Sequence, residues 1–86
     1  MYSNKTDWFE LWEQDKKSMA ATMHRNLMAD LEAGYNPMGD SIRRQLGEIA
    51  RYEAGYDADM RHLADKTPEQ VQHWCYMDMK RRGAIE

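Results

Sequence analysis

A chain of 86 residues is one small domain, near the size at which a single core yields only a few kcal/mol of net stability. With 31% charged residues and a mean hydropathy of -0.97 it is strongly wetted, and no apolar run approaches the ~18 residues that a membrane-spanning helix needs. A net charge of -3 argues against a protein whose main business is gripping phosphate backbones, for which a basic domain is expected.

The negative surplus is uneven: residues 1–40 hold four Lys/Arg against seven Asp/Glu, whereas residues 41–86 hold eight against eight. The opening MYSNKTDWF has no apolar signal core, and the single Cys75 does not make a disulfide framework, so the sequence reads as cytoplasmic. Eight methionines suit either an irregular core or a surface that accepts a partner.

In chain order, Met1 to Lys5 reads as a frayed start and Thr6 as the N-cap of a first helix over about 6–33, with Asp7 and Glu10 in the first turn. Trp8, Trp12, Met19, Met23, Leu27 and Leu31 follow helical spacing up to a stop at Gly34. Whether this helix continues past the polar Lys16-Lys17-Ser18 is left open by the pattern. Two glycines and an Asn-Pro step in residues 34–40 specify a turn, after which Ser41 or Asp40 caps a second helix over about 41–65.

The second helix carries the clearest periodicity and is the expected centre of the fold. Ile42, Leu46, Ile49, Tyr56, Met60 and Leu63 form one stripe, interrupted only by Glu53, which is expected to pair with Lys16 or lie partly exposed. Gly47, Ala50, Ala54 and Ala58 form another stripe of small side chains, a close-packing face or the seam of a homodimer. Thr67-Pro68-Glu69-Gln70 is a capping-box start for a third helix over about 67–82, ended by Gly83, with Lys80, Arg81 and Arg82 in its last turn. The expected architecture is all-α: an antiparallel hairpin of two long helices with a shorter third helix packed at one end, bringing Trp8, Trp12 and Trp74 together. The far end, near Leu31 and Ile42, then gets no cover from the third helix, and a partner or second copy is expected there or its packing is thin.

No constellation of residues suggests catalysis, a metal or a cofactor. His24, His62 and His73 fall on three different helices, His73 and Cys75 point to different faces, and no Gly-rich phosphate loop is present. Trp74-Cys75-Tyr76-Met77 is apolar all round its helix, which makes Tyr76 and Met77 candidate exposed anchors for a partner. A second candidate face carries Glu48, Tyr52 and Asp59, aromatic and acidic groups suited to a basic surface such as one that normally holds nucleic acid.

The sequence therefore leads to a non-enzymatic protein-protein interaction module acting stoichiometrically as an adaptor or inhibitor. A phage or mobile-element protein that blocks a host nucleic-acid-processing or defence enzyme is of this type. Two alternatives stand beside it: a DNA- or RNA-binding regulator using Arg43, Arg44 and Lys80 to Arg82, and a structural subunit whose function is self-assembly.

Overall fold

The computed structural model describes residues 5–85, so the expectation for a frayed start falls, Lys5 excepted, outside the described residues. Among them are three α-helices and no strand: α1 (Trp8–Glu32), α2 (Asp40–Leu63) and α3 (Pro68–Arg82). The body measures 48 × 25 × 17 Å.

The centre of the fold is α1 rather than α2, because α1 packs against both of the others. The periodicity of α2 is cleaner, but α1 carries Trp8 and Trp12, the large side chains that can reach two neighbours at once. Trp12 is fully buried, stacked on Tyr56 of α2 at 5.7 Å and meeting Trp74 of α3 edge-on at 5.7 Å. Trp8 meets Tyr76 edge-on at 4.7 Å, and Leu63, Cys75 and Met79 complete this main core.

Helix α1 runs unbroken through Lys16-Lys17-Ser18. Lys16 is tolerated there because its ammonium lies over the rings of Trp12 and Tyr52, at 5.7 and 5.2 Å, and 3.9 Å from Asp59. Glu53 consequently takes His24 as its partner, at 3.1 Å, and not Lys16. These groups form a polar waist. Beyond it lies a smaller core of Leu27, Ile42 and Ile49, with Met23 and Leu31 against it. As the contacts climb α1 from Lys16 to His24 to Asp30 they descend α2 from Asp59 to Glu53 to Gln45, so the two helices run in opposite senses.

Several local signals resolve differently from the sequence reading. Asp7, not Thr6, caps α1: its Oδ1 accepts from the Glu10 N–H at 3.1 Å. A tertiary contact selects it, because Gln72 of α3 donates to the same Asp7 oxygen at 3.0 Å and accepts the Trp8 N–H. Neither Asp40 nor Ser41 caps α2; its N-cap is Gly39, without a side-chain bond. The turn explains this, since the Asn36 side chain accepts from the Met38 N–H and the Asn36 carbonyl from the Gly39 N–H, which draws Gly39 into the capping position. The signals around α3 are realised locally. Thr67 and Gln70 form the reciprocal capping box, and Gly83 closes the helix at φ +78°, a conformation that favours glycine.

Leu46 is half-exposed, unlike its stripe neighbours Ile42 and Ile49. Only α1 lies against α2 at this end, so the covered arc is narrow. Gly47, Ala50, Ala54 and Ala58 are all exposed, and a side chain added at Gly47 would meet nothing within 4 Å. The small stripe is thus not a packing face within the chain.

Candidate functional site

The residues singled out from sequence do not converge on one surface. Tyr76 is only 4% exposed, held between Trp8 and the Lys80 ammonium, which sits 5.8 Å from its ring, so it is core and not an exposed anchor. Its neighbour Met77 is 46% exposed. Asp59 is partly buried beside Lys16, and Glu48 is exposed.

Tyr52 is half-buried under Lys16, and its hydroxyl is buried with no hydrogen-bond partner among the described residues. Burial raises its pKa; Arg82 opposes that rise, and Asp15 and Asp78 reinforce it. A desolvated hydroxyl with nothing bonded to it costs more than it returns. Tyr52→Phe is therefore expected to leave stability unchanged or raise it by up to ~1 kcal/mol, read as the thermal midpoint. A clear drop would show that the hydroxyl makes a stabilising bond.

The basic cluster at the end of α3 is spent on internal contacts. Arg81 donates to Asp78 Oδ1 at 2.8 Å, and Arg82 bridges Asp78 Oδ2 at 3.0 Å and Asp15 Oδ2 at 2.9 Å. The Trp12 indole N–H donates to the same Asp78 Oδ2 at 2.9 Å. Burial alone would raise the Asp78 pKa, but the bonds from Arg81, Trp12 and Arg82 outweigh it and hold it below the usual carboxylate value. This buried carboxylate escaped the sequence reading. Its signal was a lone Asp on an otherwise apolar turn, one helical turn ahead of Arg81 and Arg82.

Arg43 and Arg44, by contrast, are exposed on α2, where the Arg43 guanidinium donates to the Met38 carbonyl at 3.5 Å. Cys75 is fully buried, and burial first, with Asp78, Asp7 and Asp59 behind it, pushes its thiol up to about 12, which leaves it a poor nucleophile. Among the described residues no group of three His, Cys, Asp or Glu is placed to hold a metal ion. Among them, too, no helix is long and apolar enough to cross a membrane.

Of the exposed large hydrophobic side chains among the described residues, Leu11 and Met19 lie along α1 and Met77 on α3, while four gather toward the turn between α1 and α2. Met28, Tyr35, Met38 and Leu46 are about half-exposed or more, with Met38 at 77%. At about 100° per residue, Met28 shares a face of α1 with His24, and Leu46 shares a face of α2 with Glu53. The His24–Glu53 contact shows that these two faces adjoin, so Met28 and Leu46 flank one side of the helix pair. On the other side an open cleft of about 400 Å³ is lined by Met23, Asn26, Asp30, Gln45, Glu48 and Ile49, and the Gln45–Asp30 bond of 2.6 Å crosses it.

No family model, curated protein or solved structure matches this chain.

Proposed function

We propose that this protein is a non-enzymatic interaction module in which an antiparallel α1–α2 hairpin, braced by α3 at its open end, presents its turn to another protein as an adaptor or inhibitor. The observation that carries this reading is the gathering of Met28, Tyr35, Met38 and Leu46 at the one end that α3 leaves uncovered. Exposed apolar groups scattered singly need no explanation, but four around one turn form a patch of the kind that partners cover. Asp40 at the turn, with Asp30 and Glu48 in the cleft on the other side of the helix pair, favours a partner with basic groups beside an apolar recess, and an enzyme that handles nucleic acid has such a surface.

A nucleic-acid-binding role has less support. Arg81 and Arg82 already serve Asp78 and Asp15 and Lys80 lies over the Tyr76 ring, which leaves Arg43 and Arg44 of the five basic residues it would use without such a contact among the described residues.

The test is capture from native-host lysate with tagged wild type and with Met38→Asp/Leu46→Asp, each lysate split into nuclease-treated and untreated halves. One protein retained by wild type in both halves and lost from the variant is the expected result. Retention by both baits, or loss on nuclease treatment, contradicts the proposal. Both substituted residues are exposed, so the variant's helicity and melting should match wild type.

A further inference from the structure

The outer face of α2 carries a set of charges together with its two flanks, where Glu48 and Asp57 each line a groove against α1. Asp40, Arg43, Glu48, Arg51, Asp57 and Arg61 are all exposed, and none enters an ion pair with a described residue. Other charges, Glu13, Asp15, Asp78 and Arg82 among them, are paired within the chain. Between the six lie Gly47, Ala54 and Ala58, side chains too small to hold another helix at a distance.

The order of these charges is self-complementary. We propose that a second copy of this chain docks here, its α2 antiparallel to the first, about a two-fold axis that passes beside Ala50 and Arg51. At about 100° per residue, Asp40 and Ala58 mark the middle of the face. Arg43, Arg61 and Asp57 lie about 60–100° to one side of it, and Arg51 and Glu48 about 20–80° to the other. In an antiparallel pair, groups displaced to the same side meet.

With the axis at that position, Asp40 lies level with Arg61 of the second copy, Arg43 with its Asp57 and Glu48 with its Arg51, each to within about one residue of rise. Symmetry doubles every pair, so six ion pairs form. Gly47 comes opposite Ala54, and Arg44 opposite Gly55 and Ala58 of the second copy. The two Arg51 side chains flank the axis, where each is neutralised by the other copy's Glu48. Charge alternation also sets the register, because a shift of one helical turn brings Arg43 level with Arg61 on the same side. The docking surface shares Asp40 and Glu48 with the acidic groups near the turn but none of Met28, Tyr35, Met38 and Leu46, so a dimer would present two such turns at opposite ends.

Sedimentation equilibrium on the whole chain at low salt tests this, with variants at exposed positions whose helicity is checked by circular dichroism. The expected species is a dimer of about 20 kDa, from chains of 10.2 kDa. Arg43→Glu and Asp57→Arg should each raise its dissociation constant at least ~10-fold, and the double variant, which reverses the pair, should return it to within a few-fold of wild type. Ala54→Trp should give a helical monomer. A wild type that stays monomeric at ~1 mM overturns the proposal. So does a dimer that Ala54→Trp leaves intact, or a double variant weaker than either single one.

Discussion

Trp12→Ala is expected to cost about 4 kcal/mol, a loss comparable with the whole stability of a domain of this size. The substitution removes a fully buried indole stacked on Tyr56 and edge-on to Trp74, each at 5.7 Å, with Phe9 at 6.0 Å. It also deletes the N–H bonded to Asp78. The side chain touches both neighbours of α1, so its loss unties two interfaces at once. In a urea titration followed by far-ultraviolet circular dichroism, the variant should show no native baseline at 25 °C, or a midpoint moved most of the way to zero. Trp12→Phe keeps a ring but loses the donor and should fall between. A cost below about 1 kcal/mol for Trp12→Ala would mean that the helices are held by something other than this cluster.

Asp78→Ala should cost about 3 kcal/mol, because it strands a buried indole donor and leaves Arg82 with Asp15 alone. Arg81 is mostly exposed and loses little. The same carboxylate predicts an acid limb. Its pKa is lower in the folded chain than in the unfolded one, so its contribution is complete above the unfolded value near 4 and is lost as pH falls through the folded value. Wild type should therefore lose stability steadily from about pH 5 downward. Asp78→Asn should start less stable at pH 7 and show a flatter limb. A limb remains in that variant because Asp7, bonded first by Gln72 and then by the Glu10 N–H, is lowered in the same direction. Identical pH profiles for the two proteins would remove Asp78 from the account.

Features that depend on a few adjacent residues were legible in the sequence. Thr67 and Gln70 specify the start of α3 without help from the rest of the chain, and Gly34 and Gly83 mark helix ends where φ must turn positive. The meeting of Trp8, Trp12 and Trp74 followed from helix lengths and short connections. Azimuth on α3 was not legible. With Trp74, Cys75, Tyr76 and Met77 all large or apolar, periodicity cannot rank its faces, and packing against Trp8 decides that Tyr76 goes in while Met77 stays out.

Nor could a pattern on one helix reveal that Gln72 would select Asp7 as a cap, or that Asp78 would be buried against Trp12, since each partner lies more than 60 residues away. The candidate surface was half visible. The uncovered end near Leu31 and Ile42 followed from the relative helix lengths. That Leu46 would leave the core to join Met38 depended on how narrow an arc α1 covers.

The measurement closest to the central claim is a calorimetric titration of the captured partner with three proteins: wild type, Met38→Asp/Leu46→Asp, and Met77→Asp as an exposed control on α3. Wild type and the control should bind alike, saturating at one partner per chain, and the turn variant should bind at least ~30-fold more weakly with its fold intact. Equal affinity for wild type and the turn variant would contradict the assignment of the contact to the turn, and a loss confined to Met77→Asp would move it to α3.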